Sequence, residues 1–204
     1  MKFQPCKNIG LYPIVDRASK LEKLYECGVK TTQLRIKDLK DKELESEVKK
    51  AVELQEKYDA QFFLNDYWKL AIRYGAYGVH LGQEDIQSAD IEAIFKARLK
   101  LGISTHNPKE IEFAMSFKPS YLAMGPVYEP ISKKLTYPVI GVEKLKEWAS
   151  KLDYPVVAIG GITQKNISKV KSSKVEGIAL ISAVLDNDGN VCKDKVTSLL
   201  TSLQ

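Results

Sequence analysis

The sequence predicts a single-domain (β/α)8 barrel of the α/β class, the TIM-barrel architecture, with one catalytic domain over residues 1–204. Three observations predict it. Short apolar, β-prone runs alternate with helix-patterned stretches along the whole chain. The runs lack strict apolar–polar alternation, as suits parallel strands covered on both faces. Eight such units fit 204 residues, near the lower limit of roughly 200 for a closed barrel. The same alternation permits a doubly wound open sheet; the unit count favours closure.

In order, the strand-like runs are GLYPIVD (10–16), TTQLRIK (31–37), QFFLND (61–66), GVHLG (78–82), KLGIST (100–105), YLAMGP (121–126), PVVAIGG (155–161) and VEGIALIS (175–182). Between the second and third, Leu44, Val48, Ala51 and Leu54 share a helix face, and Asp41 is placed to cap it. Ser88 is placed to cap the helix after the fourth run, whose buried face carries Ile91, Ile94 and Phe95. Before the seventh, Val142, Leu145, Trp148, Ala149 and Leu152 repeat the pattern. The longest irregular stretch, 127–140, comes after the sixth run; a loop of that length in a compact domain is usually functional or disordered.

Composition excludes more than it identifies. With 44% hydrophobic and 28% charged residues the chain reads as a soluble globular protein, without an apolar segment long enough for a bilayer or a secretory leader. Cys6, Cys27 and Cys192 are odd in number and fit no metal spacing, so reduced thiols and a cytoplasmic location are expected. The net charge of +5 comes from lysines interleaved with acids, with no basic aromatic stripe for nucleic acid. The expected partners are small, anionic molecules, with no nucleic acid and no membrane. Assembly into a homo-oligomer is compatible with the sequence.

Active sites of barrels gather at the carboxyl ends of the strands, and those ends are unusually polar here. Asp66 and Asp85 finish neighbouring strands, so their carboxylates can converge on a cation. Mg²⁺ suits one or two carboxylates completed by water and substrate phosphate; capping of the next helix is the competing reading of each acid. Gln33, Arg35 and Lys37 alternate along the second run and share a face. Two cations facing a barrel interior call for an anion, because burying them alone is costly. Gly160-Gly161 and Ile181-Ser182, after runs seven and eight, lie where barrels frequently hold phosphate. His80, mid-strand, reads as a satisfied interior residue. His106 has no matched acid assigned to it.

Taken together, Gln33-Leu-Arg-Ile-Lys37, Asn65-Asp66, Gly78-Val-His-Leu-Gly-Gln-Glu-Asp85, Gly102-Ile-Ser-Thr-His106, Gly125-Pro-Val-Tyr128, Ser132-Lys133, Ala158-Ile-Gly-Gly-Ile162 and Ile181-Ser182 resemble the thiamine-phosphate synthase family over nearly the whole chain. The resemblance implies condensation of 4-amino-5-hydroxymethyl-2-methylpyrimidine diphosphate with 4-methyl-5-(2-hydroxyethyl)thiazole phosphate, through early, Mg²⁺-assisted loss of pyrophosphate. It implies Asp66 and Asp85 as metal ligands; Arg35, Lys37, Asn65 and Lys133 on the diphosphate, with Arg35, Lys37 and Lys133 catalytic; Gln33 and Ser104 on the pyrimidine; and Gly161, Ile181 and Ser182, with Ser132, around the thiazole phosphate. One position departs from the family pattern: Pro130 stands where a threonine is common, which removes one hydroxyl donor. Two other functions compete. A thiazole tautomerase on the same barrel would need no diphosphate grip and usually has a histidine where Pro126 stands. A non-catalytic sensor of thiamine precursors would bind without turnover.

Overall fold

In the computed structural model, which describes residues 1–129 and 137–204, the eight runs form one closed parallel barrel in sequence order, with β8 pairing back to β1. The strands are β1 (Gly10–Val15), β2 (Thr31–Leu34), β3 (Gln61–Asn65), β4 (Gly78–Leu81), β5 (Lys100–Thr105), β6 (Tyr121–Met124), β7 (Val156–Ile159) and β8 (Gly177–Leu180). Most stop one to three residues before the apolar run does, and the residues beyond each strand end form the polar rim. The open-sheet alternative is excluded by the closure of β8 onto β1.

Helices α1 (Ala18–Glu26), α2 (Asp41–Tyr58), α3 (Trp68–Tyr74), α4 (Asp85–Ser88), α5 (Ile91–Lys96), α6 (Pro108–Ser116), α7 (Gly141–Ser150), α8 (Ile167–Lys171) and α9 (Lys193–Ser202) surround the strands. The apolar faces read from spacing are buried at Leu44, Val48, Ala51, Ile94, Val142 and Leu145. Phe95 is a correction: it is exposed, and packs edge-on against Phe3. Two capping expectations also change. Lys40, not Asp41, takes the N-cap of α2, and Asp41 lies in its first turn, where its charge suits the helix dipole. Ser88 closes the short α4, while Asp90 caps α5 by accepting the Ala93 N–H at 2.9 Å. The separate turn of α4 ahead of α5 moves the cap by two residues.

Two apolar layers result. Outward side chains such as Leu34, Phe62, Leu64, Val79 and Leu122 pack against the helices. Inward ones, including Ile9, Tyr12, Phe63, Tyr121 and Val157, fill the barrel. Its interior fits by pairing large with small. Phe63 lies in register with Gly78, and Tyr121 with Gly102. A Cβ on Gly102 would come within 2.2 Å of the Tyr121 ring, and one on Gly78 within 2.4 Å of Phe63. This aromatic floor leaves the carboxyl ends of the strands as the hollow end. No described helix is long and apolar enough to cross a membrane, and the three cysteines are free thiols.

Candidate active site

Two adjoining cavities occupy the carboxyl end of the barrel and share Arg35, Asn65, His80 and Ser104 as a common wall. The inner one, about 210 Å³, lies on Tyr12 and Gln33, with Ile14, Ala123, Val157, Ile159, Ala179 and Ile181 as apolar walls. The outer one, about 280 Å³, is polar and is bounded by Lys37, Asp66, Gln83, Asp85, His106 and Tyr137. An apolar chamber suits a ring, and a charged one suits a polyanion.

Gln33 points inward from β2 and is 2% exposed. Arg35 lies just past the observed end of that strand, a correction to the run 31–37, yet its N–H still donates to the Val15 carbonyl at 2.8 Å. That extra rung carries the alternation far enough to bring Arg35 to the common wall and Lys37 to the outer chamber. Among the described residues neither cation is in an ion pair, and both open onto a chamber that also carries Asp66, Glu84 and Asp85.

The acids converge. Asp66 comes directly after β3 with left-handed backbone, φ 64°, a conformation aspartate tolerates better than most residues. Neither Asp66 nor Asp85 supplies a side-chain cap to α3 or α4, so the capping reading fails for both. Burial, then the negative charge of Asp85, push the Asp66 carboxyl up from 3.8 to about 6, against the pull of Arg35 and Lys37. The charge of Asp85 opposes ionisation of Asp66, and a cation between the two would relieve that opposition. Among the described residues no third histidine, cysteine or acid joins them. A hard ion that keeps water and takes phosphate oxygens fits this pair; one needing a full protein cage does not.

His80 is a satisfied interior residue, as expected: Nδ1 lies 2.7 Å from the Tyr121 hydroxyl and Nε2 2.8 Å from Ser104 Oγ. Burial, with Arg35 nearby, holds its pKa down to about 4, so the ring is neutral near pH 7. His106 is a correction. Its Nδ1 lies 2.7 Å from Glu110 Oε2, four residues on, and its ring stacks on Tyr137 with centroids 3.6 Å apart. The missed signal was Asn107-x-x-Glu110, a helix-start pattern that brings the acid back beside residue 106.

The second polar locus is divided. Ile181 lines the inner chamber and is half exposed, whereas Gly161 and Ser182 line neither cavity. Gly161 has φ 62°, and a Cβ there would meet the Tyr128 backbone at 2.6 Å, so only glycine fits this turn. Ser182 begins a single 3-10 turn, Ser182–Val184. Pro130, Ser132 and Lys133 lie outside the described residues, and so does the expectation of a mobile loop around them. Sequence reasoning also missed Tyr12 and Tyr121, whose hydroxyls meet at 2.9 Å beneath the site.

The chain resembles known proteins in both sequence and fold. The family model described as thiamine monophosphate synthase matches residues 11–184. A thiamine-phosphate synthase from Citrobacter koseri is 48% identical over 177 residues, 86% of this chain and 84% of the relative. The solved thiamine phosphate pyrophosphorylase from Pyrococcus furiosus superimposes with a TM-score of 0.85 at 30% identity, covering 97% of this chain and 96% of that one. An N-(5'-phosphoribosyl)anthranilate isomerase from the same organism, 15% identical with a TM-score of 0.66 over 96% of this chain and 98% of that one, shares the fold alone. With a family model matched over residues 11–184 and a relative 48% identical over 86% of the chain, the chain belongs to the thiamine monophosphate synthase family.

Proposed function

We propose that this enzyme joins 4-amino-5-hydroxymethyl-2-methylpyrimidine diphosphate to 4-methyl-5-(2-hydroxyethyl)thiazole phosphate, giving thiamine phosphate and pyrophosphate. The observation that carries the reading is the outer chamber, where Asp66 and Asp85 converge beside the cations Arg35 and Lys37 and next to an apolar chamber. The diphosphate occupies the outer chamber, held by Arg35, Lys37 and Asn65. The pyrimidine ring enters the inner one, against Gln33 and Ser104. Thiazole phosphate approaches past Ile181, with Gly161 and Ser182 around its phosphate; the family resemblance, not the described structure, adds Ser132 to that phosphate and Lys133 to the diphosphate.

The carbon–oxygen bond to the diphosphate breaks with its electron pair leaving on oxygen. Arg35 and Lys37 lie where that negative charge grows, so they favour the transition state over the ground state. The thiazole nitrogen then donates its lone pair to the pyrimidine methylene cation and closes the carbon–nitrogen bond. Asp66 and Asp85 would hold Mg²⁺, which supplies further positive charge against the departing diphosphate. The walls Ile14, Ala123, Val157 and Ala179 exclude water that would otherwise capture the cation. A neutral, fully bonded His80 is no general base, and the reaction needs none. Three free thiols suit a reducing compartment, and we place the enzyme in the cytoplasm.

Incubation with both substrates and millimolar Mg²⁺ is expected to release equal amounts of thiamine phosphate and pyrophosphate, and EDTA is expected to abolish both. Binding of either substrate without product, at adequate Mg²⁺, would instead make the protein a sensor. Interconversion of thiazole tautomers without pyrophosphate release would make it an isomerase, a reading that Pro126 in place of the usual histidine disfavours.

A further inference from the structure

A continuous line of buried polar groups connects two side chains of the inner chamber beneath its floor. Gln33 Nε2 donates to the Tyr12 hydroxyl at 3.1 Å. Tyr12 and Tyr121 hydroxyls lie 2.9 Å apart, Tyr121 lies 2.7 Å from His80 Nδ1, and His80 Nε2 lies 2.8 Å from Ser104 Oγ. Tyr12, Tyr121, His80 and Gln33 are buried, and Tyr121 lines neither cavity. Gln33 and Ser104, the two ends, both face the inner chamber.

Each internal link has one proton to give and accepts one. A tyrosine hydroxyl donates once, and a neutral imidazole has one N–H and one lone pair. A tyrosine has a single proton to give, a second proton on His80 would bury a charge in this floor, and a link that only accepted would leave its own buried proton without a partner. The line therefore runs in one sense throughout. Since Gln33 donates into it, Tyr12 donates to Tyr121, Tyr121 to His80 Nδ1, and His80 Nε2–H to Ser104. Gln33 is left with its carbonyl oxygen, beside its second amide hydrogen, for a ligand, and Ser104 with its O–H. Reversal requires the amide, both hydroxyls and the imidazole tautomer to change together, and it would exchange the two roles. In either sense the ends present opposite polarity.

We propose that Tyr12, Tyr121 and His80 are positioning residues that keep an acceptor free on Gln33 and a donor free on Ser104, and so select a ring that offers an amino N–H to the first and a ring-nitrogen lone pair to the second. This rests on the proposed reaction and deepens it. The site prefers a 4-aminopyrimidine to its 4-oxo counterpart, which presents a carbonyl acceptor beside a ring N–H, the reverse pattern. Breaking the line in the middle frees both ends. With Phe at residue 121, His80 can hold its proton on Nδ1 and accept from Ser104, and the Gln33 amide can turn over independently.

The test measures kcat/KM for the 4-amino and 4-oxo pyrimidine diphosphates, with thiazole phosphate saturating, in the parent enzyme and in Tyr121→Phe. The two substrates differ in intrinsic reactivity, but that factor cancels when the parent's ratio is divided by the variant's. Discrimination is expected to fall about 10-fold or more, on the scale of one buried hydrogen-bonding mismatch. Inhibition constants of the two diphosphate-free pyrimidine methanols should shift in the same direction. Tyr12→Phe breaks the adjacent link and gives the same result if Tyr121→Phe does not fold. An unchanged ratio in a folded variant overturns the inference while leaving the reaction intact. Failure of the parent to make thiamine phosphate from the 4-amino substrate overturns both.

Discussion

Asp85→Asn is expected to lower thiamine phosphate formation by about 10²–10³-fold, the usual cost of losing one group that stabilises developing charge, while making the metal-free protein more stable at neutral pH. The two effects have one cause. Asp66 carries a pKa near 6 when folded against 3.8 when free, and Asp85 contributes to that rise after burial itself. Between those values the folded chain binds more protons than the unfolded chain, so stability from this site falls as pH rises from about 4 to about 6 and stays low above that range. Removing the Asp85 charge relieves part of the penalty, about 1 kcal/mol once the half-exposure of Asp66 is allowed for. Thermal unfolding at pH 7 in EDTA should show a higher midpoint for Asp85→Asn than for the parent. Addition of Mg²⁺ should raise the parent's midpoint and leave the variant's where it was. A variant destabilised in EDTA, or one still stabilised by Mg²⁺, would mean that the two carboxylates do not share a cation.

Gly102→Ala is expected to destabilise the fold by about 3 kcal/mol or more, because the added methyl overlaps a ring with nowhere to go. The new Cβ would lie 2.2–2.4 Å from three atoms of Tyr121. That ring is fully buried, edge-on to Phe63 and Tyr12, and stacked beside His80. In a chain of this size such a loss lowers the melting temperature by roughly 10 °C. Calorimetry is the direct measure. A midpoint within about 2 °C of the parent would show that Tyr121 can move aside, and the buried hydroxyl line could then not be rigid.

What the sequence made legible was whatever has a short period. Eight apolar runs, the helix faces built on Leu44 and Val142, and the polar rim from Gln33 to Asp85 all arise from spacing within a few residues. Strand ends were read too long because the rim residues continue the extended path after the ladder stops, as Arg35 does with its one remaining rung. Tyr12 and Tyr121 are 109 residues apart, so no local pattern announces that their hydroxyls meet. The pairing of Gly78 with Phe63 and Gly102 with Tyr121 is likewise a matter of register across strands. Glu110 beside His106 was legible and was missed, because the helix start at Asn107 was not used to place residue 110.

The stretch after β6 departs from and returns to the barrel through neighbouring points. Val127 is bound to Ile159 on one side, and Ile140 and Gly141 return to donate to the Pro126 and Val127 carbonyls at 2.9 and 3.2 Å. Val127 and Ile140 are both buried, so these attachments are part of the core. The frame thus holds both ends of this crossover in one fixed socket, with Tyr128 tied to the Gly160 carbonyl at 3.0 Å as well. Socket and strands therefore stand or fall together, and alanine at Val127 or Ile140 should lower the melting temperature of the whole barrel.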